Sequence, residues 1–166
     1  GAAFQMFSHG IMTGLFFALV GCVYGRTHTR VLSEMGGLAR PAPFLAIAFT
    51  LGGLVSLGLP GTSGFIAEFL SLVGGFQSFP VLALIAATGV VITAIYVLRV
   101  VQKIFFGALN AKYESGEHRV SDATFFEKIP LSILIFFLIL LGIWPFLLTD
   151  VVNSGVMIAL QKIGGI

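Results

Sequence analysis

Leu57-Gly58-Leu59-Pro60-Gly61-Thr62-Ser63-Gly64-Phe65-Ile66-Ala67-Glu68 breaks one helix, starts another and ends on an acid. Pro60 lacks an N–H, and Gly61 and Gly64 tolerate backbone outside the helical region, so a regular helix does not run through this stretch. Thr62 or Ser63 can cap the helix that restarts. Glu68 is the only carboxylate between Arg40 and Arg99, in a run otherwise made almost wholly of apolar and small residues.

That setting is a membrane. Of the 166 residues, 57% are hydrophobic and 10% charged, against about 25% charged in a soluble domain. Four apolar segments cover about 2–25, 42–76, 79–106 and 129–149. About 20 helical residues cross a bilayer. The segment 42–76 is too long for one regular crossing: about 33 helical residues reach about 50 Å against a hydrocarbon core near 30 Å. The Pro-Gly-Thr-Ser-Gly insertion resolves the excess as one crossing made of two half-helices. The expected fold is therefore all-α integral membrane, with four transmembrane helices, the second broken. Residues 1–149 form the bundle and 150–166 an outward-facing tail. The chain starts at Gly1, already apolar by Ala2, and reads as a piece of a longer polypeptide.

Charge sets the orientation. Arg26, Arg30 and Arg40 lie in one loop, and Arg99, Lys103, Lys112, Arg119 and Lys128 in another. The turn at 76–80 has no base and the tail only Lys162. Positive residues favour the cytoplasm, so both basic loops are expected there, with both termini outside. The long loop 107–128 also carries Glu114, Glu117, Asp122 and Glu127 and reads as a solvated connector, with room for a short surface helix around Phe125–Lys128. Trp144 and Pro145 suit an interfacial anchor.

An ionised side chain at the bilayer centre costs about 3 kcal/mol on insertion scales, so one that persists argues for a task. Glu68 beside a helix break reads as a proton site. Gly64 leaves space on its face and Ser71 offers a hydroxyl there. Freed backbone groups at membrane depth are tolerated inside protein or along a wet cavity, and broken helices line ion sites in transporters. The alternative is a structural acid that satisfies the freed backbone. His9 shares a polar stripe with Gln5 and Thr13, with Ser8 adjacent, and imidazole passes protons near neutral pH. Arg99 can line an exit near the end of the third segment. Lys103, one turn on, reads as snorkelling to the headgroups. The scattered bases give no nucleic-acid patch. Cys22 alone makes neither a disulfide nor a cysteine metal site, and no catalytic, metal or cofactor-binding motif appears.

Three stretches carry a resemblance. They are Phe4-Gln5-Met6-Phe7-Ser8-His9-Gly10, then Thr27-His28-Thr29-Arg30 with Met35-Gly36-Gly37-Leu38, then the run from Leu57 to Phe69. Together they resemble the antiporter-like membrane subunits of respiratory complex I (NADH:quinone oxidoreductase), and among them the chain 4 or M type. The resemblance implies the C-terminal part of an inverted-repeat fold, helices eleven to fourteen. Glu68 then matches the acid that ends the proton path, where L-type subunits carry Lys, and His9 the central histidine of helix eleven. Gln5 stands where the L type has another His. The implied activity is proton translocation by a non-redox subunit. FMN, iron–sulfur clusters and quinone would sit in partner subunits and no cofactor in this chain. The implied partners are neighbouring antiporter-like subunits and other membrane subunits, the lipid bilayer and the missing N-terminal part. The implied location is a bacterial or archaeal plasma membrane, with an organellar inner membrane or thylakoid as alternatives. The first repeat is absent. Multisubunit cation/proton antiporters and membrane-bound hydrogenases use overlapping motifs, and a purely structural membrane module also stays open.

Overall fold

The computed structural model describes residues 1–114 and 120–164. Glu117 and Arg119, counted above among the loop charges, and residues 165–166 of the tail lie outside the described residues. Every long element among the described residues is a helix: α1 (Ala2–Thr27), α2 (Pro43–Ser56), α3 (Ser63–Ser78), α4 (Pro80–Phe105), α5 (Phe125–Ile143) and α6 (Phe146–Gly164). No strand occurs among them. Of these, α1, α4 and α5 are long and apolar enough to cross a membrane.

Proline starts two of the helices. Pro43 and Pro80 sit at the first positions of α2 and α4, where a missing N–H costs nothing and φ is already helical. At the other end of α1, His28 adopts φ 53° and its N–H bonds the Tyr24 carbonyl at 2.8 Å, closing the helix. Residues 57–62 separate α2 from α3. Gly58 (φ 66°) and Gly61 (φ 89°) take the left-handed conformations that turn the chain there.

The capping expectation for that restart changes. Thr62 occupies the cap position of α3, but its hydroxyl bonds the Leu59 carbonyl at 2.7 Å and makes no cap bond. The Ser63 hydroxyl is drawn instead to Ser8 on α1. The fourth apolar segment also shifts. Its helix, α5, starts at Phe125 because Glu127 accepts from both the N–H (2.7 Å) and hydroxyl (2.9 Å) of Thr124. This is the carboxylate half of a capping box. The helix stops at Ile143, and after Trp144-Pro145 the chain re-enters a helix, so all of 150–164 lies in α6.

α1 is the axis of the bundle and packs on α2, α3 and α5, while α4 lies against α2 and α3. Leu15, Leu19, Phe49, Phe105, Leu131 and Leu138 are core residues of the main cluster. A smaller cluster of Phe4, Ala67 and Leu141 closes the end near the break. Backbone contact there is direct, because a Cβ on Gly142 would run into Gly61 and Thr62 and one on Gly64 into the Val55 carbonyl. By contrast α4 leaves Val81, Leu82, Leu84, Val91, Ile92 and Ile95 exposed. A helix this apolar on its open face belongs against lipid or protein, not water.

At the end of α1 far from the break, the polar groups pair with one another. The Arg26 guanidinium donates to the carbonyls of Cys22, Ser121 and Asp122 at 2.9, 2.8 and 3.0 Å. It also donates to both oxygens of Glu127, at 3.2 and 2.6 Å. Those five bonds use all five of its donors. Next to it, Asp122 takes the Lys128 ammonium at 3.1 Å and the backbone N–H of Leu45 in the first turn of α2 at 3.3 Å. The residues that join α4 to α5 thus pin the ends of α1, α2 and α5 together.

Candidate functional site

The break turns α3 so that Glu68 faces back toward α2. A Cβ on Gly58 would lie 2.7 Å from the Glu68 Oε2 atom. Glycine at 58 is favoured by its positive φ, and its lack of a side chain lets the carboxylate lie close to the turn. Glu68 is half-buried. Among the described residues the two salt bridges are Arg26–Glu127 and Lys128–Asp122, and neither involves Glu68.

Glu68 opens into a cavity of about 430 Å³ between α1, α2, α3 and α4. Its polar lining is Gln5, Ser8 and His9 from α1, Ser56 from α2, Glu68 from α3, and Thr93 and Tyr96 from α4. Met12, Phe16, Phe49 and Val100 are among its apolar walls. Ser8 and Ser63 fix the edge, their hydroxyls 2.8 Å apart and both side chains buried. Two hydroxyls are turned into their own helices: Ser56 bonds the Gly53 carbonyl at 2.7 Å and Thr93 the Gly89 carbonyl at 3.0 Å. Gln5 differs, since its Oε1 is buried with no hydrogen-bond partner among the described residues. A buried amide oxygen left so costs about 1–3 kcal/mol, which favours water in the cavity. His9 lines the cavity while its ring is exposed on the open side of α1.

Of the residues singled out from sequence, the structure brings Glu68, His9, Gln5, Ser8 and Gly64 to one cavity. Pro60, Gly61 and Thr62 lie in the turn that aims α3, and Ser63 is its first residue. Four others lie apart from the lining. Thr13 is half-buried, but the cavity face of α1 runs through 5, 9, 12 and 16. Ser71 is exposed and bonds the Ala67 carbonyl at 2.8 Å. Arg99 and Lys103 are exposed, because the inward face of α4 runs 93, 96, 97, 100. Thr93 and Ser56 escaped the sequence reading. Thr93 shared a visible signal with Tyr96, two polar residues three apart in a long apolar helix.

The sequence profile of the NADH:quinone oxidoreductase/Mrp antiporter, TM family matches residues 1–95. The chain belongs to that family. It is 40% identical over 162 residues to NADH-quinone oxidoreductase subunit M of Rhodobacter capsulatus, covering 98% of this chain and 31% of the relative. To NAD(P)H-quinone oxidoreductase chain 4 of Gloeobacter violaceus it is 41% identical over 157 residues, covering 90% and 30%. The fold is similar to a chain of respiratory complex I from Thermus thermophilus with bound NADH. The TM-score is 0.73 at 36% identity, over 83% of this chain and 28% of that one. Within the NADH:quinone oxidoreductase/Mrp antiporter family the likeness is thus to the subunit M or chain 4 type, as the motifs imply. The chain spans about a third of the length of these curated relatives, 30% and 31% of them.

Proposed function

We propose that this chain is the second-half proton path of an antiporter-like subunit in a proton-translocating NADH:quinone oxidoreductase. The observation that carries the reading is the cavity that gathers Glu68, His9, Gln5 and Ser8 from two helices. Water in such a space can carry a proton between an imidazole and a carboxylate. His9 acts as the central relay and Glu68 as the terminal site. A charge change in the neighbouring part of the machine alters the proton affinity of Glu68, and water then joins it to one side at a time.

In this reading α2 and α3 together make one broken crossing. At 14 and 16 residues neither spans a core of about 30 Å alone, since each rises about 21–24 Å. With α1, α4 and α5 that gives four crossings, the basic loops cytoplasmic and the termini outside. The subunit has no redox chemistry of its own. FMN, iron–sulfur clusters and quinone belong to partner subunits, and the N-terminal remainder of the polypeptide is a partner of this chain.

The test is proton pumping by the intact parent complex in sealed vesicles, wild type against Glu68→Gln, with assembly and electron transfer recorded. Loss of pumping in an assembled complex is the expected result. Unchanged pumping at unchanged turnover would reduce Glu68 to a structural acid at a helix break. A second reading, a subunit of a cation/proton antiporter without redox partners, draws on the family's inclusion of Mrp antiporters. Co-purification with flavin and iron–sulfur proteins distinguishes the two.

A further inference from the structure

The groove between α1 and α4 holds a second cavity, of about 300 Å³, on the side of the basic loops. Its polar lining is Tyr24, Thr29 and Arg30. The Arg30 guanidinium lies 4.8 Å from the centre of the Tyr24 ring. Two residues wall both cavities: Phe49 and Val100. Phe49 is 6% exposed and packs against two other rings. Phe16 meets it edge-on at 5.3 Å between centroids, and the fully buried Phe105 lies at 5.3 Å on another side.

The two residues shared by the cavities, Phe49 and Val100, are both apolar, so any passage between them runs past a neck without a polar side chain. On one side lie Glu68 and His9, and on the other Arg30 at the end nearest the cytoplasmic loops of the proposed topology. Water in an apolar constriction gives up hydrogen bonds that nothing there replaces, so such a neck stays dry until it widens or becomes polar. A pump needs that interruption, because a site wetted from both sides at once dissipates the gradient it helps to build.

We propose that Phe49, with Phe16 and Val100 beside it, is the dewetting gate that separates the Glu68 cavity from the basic-loop side. The inference rests on the proton-path reading of Glu68 and adds the element that blocks that path at rest. The ligand controlled is water, as a proton-conducting file. Phe49 touches no proton itself. It acts by volume and by lack of polarity, and the movable partner is Phe16, which is only half-buried.

The experiment uses the intact parent complex in sealed vesicles, without NADH, and follows collapse of an imposed pH gradient. Phe49→Ala is expected to speed the collapse several-fold and, during turnover, to lower the protons moved per electron while electron transfer continues. Val100→Ser wets the same neck without removing a core ring and is expected to do likewise, which covers the case in which Phe49→Ala fails to assemble. Ile92→Ala, on the exposed face of the same helix, is the control and should leave the gradient intact. Adding Glu68→Gln to either leaky variant should seal it again. If assembled Phe49→Ala and Val100→Ser vesicles hold the gradient as the wild type does, the gate is wrong, whatever Glu68→Gln alone does to pumping. If they leak and Glu68→Gln fails to stop the leak, the opened route bypasses Glu68 and the proposal falls as stated. Loss of pumping in the single Glu68→Gln variant tests the underlying reading separately.

Discussion

The two ends of α1 treat polar groups in opposite ways. His9 and Arg26 are 17 residues apart, roughly 25 Å along a helix. Around Arg26 the charges are matched: five donors, five acceptors, and a second ion pair next door. Around His9 and Glu68 they are not. Among the described residues, an acid without a cation, a buried amide oxygen without a partner and an exposed imidazole surround a space large enough for several waters. A fully paired cluster has one low-energy arrangement and resists change. Polar groups left open to water have several arrangements of similar energy. The first suits a fastening and the second suits exchange of protons. The same helix can carry both because its two ends are far enough apart to be independent.

If that contrast is right, disturbing the fastening costs stability, and disturbing the cavity costs coupling far more than stability. The largest expected effect on stability is Arg26→Ala. It leaves Glu127 without its cation and three carbonyls without their donor. Breaking a fully buried ion pair by removing one partner costs about 3–5 kcal/mol, and this part-buried pair, screened on the glutamate side, should cost less than that. Side-chain exposure is 13% for Arg26 and 34% for Glu127. The readout is the thermal midpoint of the detergent-solubilised parent complex, followed by loss of this subunit. Glu68→Gln, measured the same way, should leave the midpoint where it is. Equal losses in the two variants would erase the distinction between the ends.

A smaller effect is expected at the boundary between the two behaviours. Ser8→Ala removes the partner of the Ser63 hydroxyl, which has no exposure of its own. An unsatisfied buried hydroxyl costs about 1–3 kcal/mol, whereas removing both partners together costs less. Ser8→Ala should therefore destabilise more than the Ser8→Ala, Ser63→Ala pair. A double variant worse than the single would mean that water already serves both hydroxyls and that this edge belongs to the wet cavity.

The sequence exposes these regions unequally for physical reasons. The break at 57–62 is written locally, in a proline and glycines that cannot continue a helix. Gln5, His9 and Glu68 stand out because polar side chains in apolar helices are expensive, so each one raises a question. Ser56 and Thr93 raise none, since a hydroxyl satisfies itself on its own helix. The fastening is the hardest to see. Arg26 and Glu127 are 101 positions apart, and nothing in either neighbourhood names the other. One local signal was present, Thr124-Phe125-Phe126-Glu127, a capping-box pattern that starts α5 inside what reads as a connector. The second helix after Trp144-Pro145 was hidden because 150–166 is only weakly amphipathic.

The smallest expected effect comes from pH and concerns Asp122, in the loop before α5. Burial works against its charge. The backbone N–H of Ala123, the Lys128 ammonium and the backbone N–H of Leu45 outweigh that and hold its pKa below the ordinary value of 3.8. The folded state thus binds the charged form better than the unfolded chain does. Its contribution is fully present above the ordinary value and is lost as pH falls through the lowered one. With the lysine side chain 39% exposed, the ion pair contributes about 0.5 kcal/mol or less. Asp122→Asn should therefore lower the thermal midpoint of the parent complex slightly at neutral pH. Below about pH 4 the wild type should lose its advantage and the two curves should converge. Glu68→Gln provides the contrast, with a midpoint equal to wild type at neutral pH and with pumping lost. Asp122→Asn and wild-type curves that stay parallel to the acid end would mean that the carboxylate is not held ionised by the fold, and that the paired end of α1 depends on Arg26 and Glu127 alone.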